Sequence, residues 1–368
     1  MANPIYLGVV GVGGVGNAFL EQLGKLPNAP QIGLLARSSQ SLLAPTPAYS
    51  PCIPATNWSD AAATPSLIKA SILSPDEIAA YLAAAPGRAI LVDNTSDLVL
   101  AQAYPVFLKN GVSVVTANKK GFSSDISLWN DIFASANQGN AYVHHQCTVG
   151  GTLPVLSTLR DLIATGDEIT RIEGVLSGTL SLLLGEFMPA FGTPDVKWSS
   201  LVAHAREAGE TEPDPRDDLN GLDFARKLTI IARVIGLEIS RPDAFPVESL
   251  IPTELVSLQF SSEGIAQFMR QLPAYDDRME IIKEDAREKG KILRYIGSID
   301  VATKTIKVGL QHVEKNSPIA NLKGSQIVSI HTKRYSATPL ILQGGGGGGE
   351  ITAMGLMADL LKVIEKLR

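Results

Sequence analysis

A glycine-rich turn near the start of the chain, GVGGVG at residues 11–16, follows the apolar run IYLGVV. After the turn, one helical face carries four apolar residues: Phe19, Leu20, Leu23 and Leu26. This order predicts a strand, a tight turn and a helix. Gly11, Gly13 and Gly16 have the GxGxxG spacing that brings the backbone close to a pyrophosphate at a helix N-terminus. We therefore predict a dinucleotide site that includes Val15, with a purely structural turn as the alternative.

The residues after the second apolar run, QIGLLA, bear on the choice of cofactor. An acidic residue at this place would hold the ribose 2′-hydroxyl of NAD, but the sequence continues with Arg37 and Ser38. A cation and a hydroxyl suit a 2′-phosphate better. The sequence therefore favours NADP, with NAD still possible and a solvated arginine as the alternative.

The first 150 residues alternate strand-like and helical patterns. Ser74, Pro75 and Glu77 form a capping box that starts a helix. Three further runs read as strands: AILVDNT, VSVVTAN and AYVHHQCTV. The alternation predicts an α/β protein with a Rossmann-type, doubly wound parallel sheet covered by helices on both faces.

Polar residues follow two of these predicted strands, at the sheet edge where α/β proteins usually bind ligands. We take them as candidate cofactor residues, with helix capping as the alternative: Asn94, Thr95, Ser96, Thr116 and Lys120.

Beyond Gly151 the patterns become longer helices and then, after Lys291, β-rich runs. A second α+β region is therefore predicted. Residues 344–349 are six glycines that open an amphipathic helix at the end of the chain.

Charge and cysteine content restrict the partners and the compartment. The formal net charge is −5, and no window is densely basic, so nucleic-acid binding is not expected. Cys52 and Cys147 are the two cysteines, which excludes a disulfide framework. The apolar N-terminal stretch is interrupted by glycines and resembles neither a signal peptide nor a membrane span. We expect a cytoplasmic protein without a membrane partner.

The densest polar stretch is ETEPDPRDD at 210–218, which leads into the predicted helix GLDFARKLTIIARVIG. Its acidic residues look like a pocket for a cationic group such as an amino-acid ammonium. Asp223 and Lys227 are four residues apart and share a helical face, as in a common surface ion pair. A lysine desolvated beside that loop would instead move a proton or stabilise a developing alkoxide.

His144 and His145 fall in the run AYVHHQCTV, where successive side chains of a strand point to opposite faces. Paired metal ligation by these two histidines is therefore not expected.

Taken together, these segments resemble the fungal-type homoserine dehydrogenases along nearly the whole chain. The matching motifs are GVGGVG, VDNTS, TANKKGFSSD, TVG, GDEITRIEGVLSGTLS, TEPDPRDDLNGLD, LKGS and TKRY. The resemblance implies NAD(P)H-dependent reduction of L-aspartate 4-semialdehyde to L-homoserine, a reversible step in threonine and methionine biosynthesis. It also implies a homodimer that acts on a small amino-acid substrate.

The resemblance assigns roles to individual residues. It makes Lys227 the acid/base residue with Asp223 as its partner, and Glu212 and Asp218 the holders of the substrate's polar groups. Thr179 would border the same pocket. Lys120 would lie beside both nicotinamide and substrate, and the glycine loop with Gly348 would line the cofactor cleft.

The implied cation site is where the chain departs most from the family. Gln146 stands where the family has a glutamate ligand for a monovalent cation such as sodium, and the other ligands would be the carbonyls of Val149, Gly151 and Leu153. A neutral amide weakens such a site. Thr152 also replaces a glycine, which restricts its access to positive φ.

Two further departures lie elsewhere. Glu210 replaces a tyrosine, and the tail loop is all glycine and ends in Glu350. The changes at Gln146 and Glu210 leave open a paralogue that reduces another amino aldehyde or imine. A non-catalytic NADP-binding protein is the remaining alternative.

The resemblance also predicts how the chain is divided. Residues 1–151 with 341–368 would bind the nucleotide, residues 161–290 would form the substrate domain, and residues 152–160 with 291–340 would form the dimerisation region.

Overall fold

A computed structural model describes residues 4–61, 64–192, 194–322, 324–345 and 347–368 of the chain. The chain divides into two compact units, one of Met1–Thr152 with Gly347–Arg368 and the other of Leu153–Gly346. The finer division of the second unit into substrate and dimerisation regions stays a prediction.

Helices and strands follow one another throughout the described residues. Those before residue 153 are β1 (Ile5–Val10), α1 (Gly14–Gly24), β2 (Gln31–Ala36), β3 (Ser41–Leu43), α2 (Trp58–Ala61), β4 (Ile68–Ala70), α3 (Pro75–Ala83), β5 (Arg88–Asp93), α4 (Leu98–Gln102), α5 (Tyr104–Lys109), β6 (Ser113–Thr116), α6 (Lys120–Ser123), α7 (Ile126–Gln138) and β7 (Val143–His144). The remainder are α8 (Val155–Ala164), β8 (Ile169–Val175), α9 (Gly178–Phe187), α10 (Trp198–Glu207), α11 (Arg216–Leu219), α12 (Leu222–Val234), α13 (Ser262–Gln271), α14 (Asp276–Glu288), β9 (Ile292–Asp300), β10 (Thr305–Val313), β11 (Gln326–Thr332), β12 (Leu340–Gly344) and α15 (Gly349–Leu367).

The sheet of the first unit confirms the predicted α/β class. Within the described residues it has seven strands in the order β4-β3-β2-β1-β5-β6-β7. Five of these strands, which are neighbours in the order β2-β1-β5-β6-β7, run parallel to one another. β3 and β4 add an antiparallel edge that the sequence did not predict. The inner strands read as continuous apolar runs because a parallel sheet is buried on both faces.

Helices α1 and α15 cover one part of this sheet. The apolar face predicted for α1 is buried at Phe19, Leu20 and Leu23. From α15, Leu356 and Leu360 are completely buried in the same hydrophobic cluster. Burial of this apolar surface attaches the end of the chain to the first unit.

The predicted strand AYVHHQCTV is largely wrong. β7 covers only Val143–His144, and His145, at φ −140° and ψ 32°, leaves the extended conformation. A 3₁₀ turn follows, in which the backbone N–H of Gln146 donates to Asp359 Oδ2 of α15 at 2.9 Å. A side chain far away in sequence thus replaces a strand partner and ends the strand.

The two histidine side chains have different surroundings. His145 is buried and stacks on Phe122 with ring centroids 4.0 Å apart. His144 Nδ1 instead lies 3.6 Å from Asp359 Oδ1.

The second unit contains an antiparallel sheet, which the described residues form in the order β10-β9-β8-β11-β12. Strands β9 to β12 lie in the β-rich region predicted after Lys291, whereas β8, at the centre of the sheet, was not predicted. The pairing of β8 with β11 shifts between His331 and Thr332, which face Arg171 and Ile169 respectively. Thr170 is therefore an extra residue that breaks the period-two pattern on which strand prediction depends.

No helix among the described residues combines the length and apolarity needed to cross a membrane.

We predict that Leu360→Ala lowers the free energy of unfolding by about 2–5 kcal/mol, because it leaves a cavity in the core under α15. Leu361→Ala, at the next position and 46% exposed, is the matched control and should cost about 0.5 kcal/mol or less. Urea unfolding measures both variants. Equal losses would show that α15 does not pack on the first unit through this face.

Candidate active site

The glycine turn has the geometry that its sequence predicts. Gly11 lies at φ 87°, and its N–H donates to Ala36 O at 3.0 Å. A Cβ on Gly16 would lie 2.0 Å from Gly11 O, a distance that no side chain permits. Asn94 Nδ2 also donates to Gly11 O, at 3.3 Å. The turn therefore joins the ends of β1, β2 and β5.

A cavity of about 520 Å³ opens beside this turn. Among the predicted cofactor residues, five line it: Gly11, Gly13, Arg37, Ser38 and Thr95. Its apolar wall, which the sequence analysis missed, includes Ile72, Leu73, Pro75 and Ile78. The capping box at Ser74 was the available signal, since it predicted the helix α3 whose start forms that wall. The cavity thus has a cationic edge and an apolar wall.

Arg37 is held in place by an aromatic neighbour. Its guanidinium carbon lies 5.1 Å from the ring centroid of Trp58, and its backbone N–H donates to Gln40 O at 2.9 Å. A cation–π contact of this kind restricts the arginine without neutralising its charge. No sequence signal pointed to Trp58.

The other predicted cofactor residues differ in accessibility. Val15 and Lys120 are partly buried, and Ser96 is exposed. Thr116 is completely buried, and its Oγ1 donates to Asp93 O at 3.0 Å, so its side chain supports the strand end from inside. Gly348, at φ 102°, precedes α15.

Gly349, the last residue of the second glycine run, lies against the first glycine turn. A Cβ on Gly349 would lie 3.1 Å from Gly14 O. Gln22 Nε2 donates to Glu350 O at 3.1 Å. The start of α15 therefore lies beside that turn within the first unit.

In the second unit, Lys227 and Asp223 form the predicted pair on α12. Lys227 Nζ lies 2.8 Å from Asp223 Oδ2 and donates to Leu176 O at 2.6 Å. The lysine side chain is 10% exposed and the aspartate side chain 42%. The helix positions them because its apolar residues are buried on either side, including Phe224 and Leu228. A desolvated ammonium beside a solvent-accessible carboxylate suits proton transfer.

Asp218 is the most perturbed carboxyl group near this pair. Burial raises its pKa to about 6, and the carboxylates of Glu212 and Asp223 act in the same direction. Hydrogen bonds from the Glu212 backbone N–H, at 2.8 Å, and from Thr179 oppose the rise. Thr179 Oγ1 also lies 3.0 Å from Glu210 O. The structure therefore brings the predicted substrate residues of this unit together.

One acidic residue of the acid-rich loop, Asp214, is not available to a ligand. Asp214 is buried and forms a close ion pair with Arg216, whose Nη2 lies 2.6 Å from Asp214 Oδ2. Arg216 also donates to Leu258 O at 2.7 Å and to Gln259 O at 3.0 Å. Asp214 is thus occupied in holding the loop together.

The predicted cation ligands lie on the turn after β7, except Leu153, which begins the second unit. The residues described contain no group of three or more His, Cys, Asp or Glu side chains that would hold a metal ion. The buried carboxylate nearest to the turn, Asp359, lies 3.5 Å from Lys362 Nζ, so its charge is already partly balanced. We derive no step through a cation, and its binding stays a prediction.

The replacement of a glycine by Thr152 causes no strain at this turn. Gly150 and Gly151 adopt the positive φ values, 72° and 61°, whereas φ of Thr152 is not positive.

Comparison with known proteins defines the class. Residues 11–146 match the family model "Homoserine dehydrogenase, NAD binding domain", and residues 154–361 match "Homoserine dehydrogenase". The homoserine dehydrogenase of Emericella nidulans is 64% identical over 368 residues, all of both chains. That of Saccharomyces cerevisiae is 42% identical over 99% of both.

Two solved structures share the fold. A Candida auris protein of unknown function has a TM-score of 0.91 at 40% identity, over 100% of this chain and 99% of that one. A hyperthermophilic archaeal homoserine dehydrogenase in complex with NADPH shares the fold, with a TM-score of 0.69 at 20% identity over all of both chains. The chain belongs to the homoserine dehydrogenase family, whose members are oxidoreductases acting on a CH–OH group, and it carries an NAD(P)-binding domain.

We predict that Asp218→Asn stabilises the protein at pH 8 by on the order of 1 kcal/mol and has no effect near pH 4. The native pKa of about 6 exceeds the unfolded value of 3.8, so the native protein binds more protons between these values and the wild type loses stability as the pH rises. Urea unfolding at several pH values measures the difference.

Asp300→Asn is a control of opposite sign. Hydrogen bonds from Thr303 lower the pKa of Asp300, so the wild type gains stability from this carboxylate as the pH rises. Asp300→Asn lacks that gain and should become less stable than the wild type at higher pH. A pH-independent effect of Asp218→Asn would show that the carboxyl group of Asp218 is not perturbed.

Proposed function

We propose that the protein reduces L-aspartate 4-semialdehyde to L-homoserine, with NADPH as the preferred cofactor. The observation that carries this proposal is the buried Lys227, held between Asp223 Oδ2 and Leu176 O in a chain of this family. The hydride of a bound reduced nicotinamide supplies the two electrons that reduce the aldehyde carbon.

Lys227 supplies the proton. As the aldehyde carbon accepts hydride, negative charge develops on its oxygen, and an ammonium at hydrogen-bond distance stabilises that charge and transfers a proton to it. Asp223 stabilises the charged form of the lysine. Because its side chain is 42% exposed, it also connects the ammonium with solvent protons. In the reverse direction the neutral lysine accepts the hydroxyl proton of homoserine.

The other residues hold the substrate and the cofactor. Glu212, Asp218 and Thr179 are assigned to the polar groups of the substrate. Lys120 is assigned to the position beside nicotinamide and substrate, as the family resemblance implies. Arg37 with Ser38 is assigned to the 2′-phosphate, since both line the cavity beside the glycine turn.

A homodimer in the cytoplasm, a substrate domain of residues 161–290 and a dimerisation region of residues 152–160 with 291–340 complete the proposal. These rest on the family resemblance. Size-exclusion chromatography with light scattering tests the dimer directly.

The first experiment follows the loss of NADPH absorbance with aspartate 4-semialdehyde beside a panel of other amino aldehydes, with and without sodium. Turnover with the semialdehyde is expected to be the fastest. Turnover confined to another carbonyl compound would indicate that Glu210 and Gln146 mark a different substrate.

In the same assay, Lys227→Ala should lower kcat by about 10²–10⁴-fold while the Kd for NADPH hardly changes, because the lysine acts on the reacting carbonyl. Lys283→Ala is the matched control. Lys283 is another buried lysine of the second unit, 3.3 Å from Glu280, so its loss should affect stability and leave kcat near the wild-type value. Loss of NADPH binding by Lys227→Ala would contradict the assignment.

Arg37→Asp should shift the cofactor preference from NADPH towards NADH by about 10–100-fold in kcat/KM, through loss of a charge-assisted contact to the phosphate. Steady-state kinetics with both cofactors measure the ratio. Lys25→Asp makes the same charge change at an exposed position after α1 and serves as the control. An unchanged ratio in Arg37→Asp would place the phosphate elsewhere.

A further inference from the structure

A carboxylate is completely buried at the edge of the first sheet where β5 ends. Asp93 is 0% exposed, and hydrogen-bond donors from three residues surround it. Tyr104 OH lies 2.5 Å and Asn118 Nδ2 3.1 Å from its Oδ2, and the Thr95 N–H donates to its Oδ1 at 2.7 Å. The Thr95 hydroxyl also hydrogen-bonds the carboxylate, and all of these donors are neutral. Burial accordingly raises the pKa of Asp93, and these hydrogen bonds lower it.

Two of the donor residues, Thr95 and Asn118, lie on different turns. Thr95 lies after β5, and Asn118 lies after β6. Asn118 Nδ2 donates to Asp97 O as well, at 2.8 Å, and Asn118 Oδ1 accepts from the Lys120 N–H at 3.1 Å. One carboxylate and one amide therefore connect the turn that carries Thr95 with the turn that carries Lys120.

Tyr104 enters this network from α5 and is itself completely buried. Its hydroxyl lies 3.0 Å from Thr116 Oγ1 as well as beside Asp93. A Cβ on Gly121 would lie 2.8 Å from the tyrosine ring, so the glycine gives the ring its space. Packing thus fixes the hydroxyl, and the hydroxyl fixes the carboxylate.

We propose that Asp93 and Tyr104 are positioning residues for hydride transfer, because their hydrogen-bonded pair sets the relative placement of the Thr95 turn and the Lys120 turn. This inference rests on the proposed function, in which Lys120 lies beside nicotinamide and substrate. Neither residue touches the reacting atoms in this scheme.

The cost of burying the Asp93 charge argues that this residue does more than stabilise the fold. Among the described residues no salt bridge reaches Asp93, so its charge is buried against neutral donors alone. Such an arrangement is costly, and apolar side chains of similar volume are often equally stable. The carboxylate instead accepts directional hydrogen bonds from two turns at once. Such positioning matters because a 1 Å error in the placement of reacting groups is enough to lower a rate by about 10²-fold.

Tyr104→Phe tests the proposal, with Tyr81→Phe as the matched control. Tyr81 is a tyrosine of the same unit whose hydroxyl lies 2.9 Å from Gly33 O in β2 and 2.7 Å from Ala44 O after β3, so it bonds to neither of these turns. Both variants lose a sequestered hydroxyl and should lower the urea midpoint. Only Tyr104→Phe should lower kcat, by about 10–100-fold, with less than a threefold change in the Kd for NADPH.

Asp93→Asn keeps the size of the side chain and removes the charge, and it should also lower kcat with little change in NADPH affinity. Wild-type kcat in either Tyr104→Phe or Asp93→Asn would overturn the proposal, as would equal losses of kcat in Tyr104→Phe and Tyr81→Phe. The wild-type protein is assayed first with aspartate 4-semialdehyde, so failure of the proposed function is seen independently of these variants.

Discussion

The close approach of Gly16 to the Gly11 carbonyl oxygen is the contact on which the first unit depends. A side chain at position 16 would overlap that oxygen, so α1 starts at this point and packs directly behind β1. The same turn accepts a hydrogen bond from Asn94 and donates one to the end of β2. A single backbone contact thereby organises the carboxyl ends of three adjacent strands, which is where α/β sheets bind their ligands.

Features with short-range causes were predictable from sequence. The glycine turn, the Ser74 capping box and the four-residue spacing of Asp223 and Lys227 each depend on residues within one or two helical turns. The capping box forms with both of its hydrogen bonds. The α/β class follows from the same local patterns, since the order of strand and helix restricts the sheet to a few topologies.

Features with distant causes were not predictable. The strand at β7 is cut short because Asp359, 213 residues further along the chain than Gln146, takes the N–H of that residue. The strand β8 escaped detection because a bulge at Thr170 breaks its alternation. The pairing of Tyr104 with Asp93 left no pattern in the sequence, because the role of each residue depends on the other being buried beside it. In each case the deciding partner lies on another element.

Two ion pairs in and beside the acid-rich loop show why sequence patterns alone did not separate structure from chemistry. Asp214 and Arg216 are 10% and 2% exposed, and the arginine also holds two carbonyl oxygens, so the pair is closed to solvent and to ligands. Asp223 and Lys227 have the same charges, but the carboxylate is 42% exposed while the ammonium is buried. An ion pair in which both side chains are buried stabilises one conformation. In the Asp223–Lys227 pair the ammonium is buried, and the exposed carboxylate connects it with solvent. The difference lies in the packing around each pair, and it makes Lys227 better suited than Arg216 to acid/base chemistry.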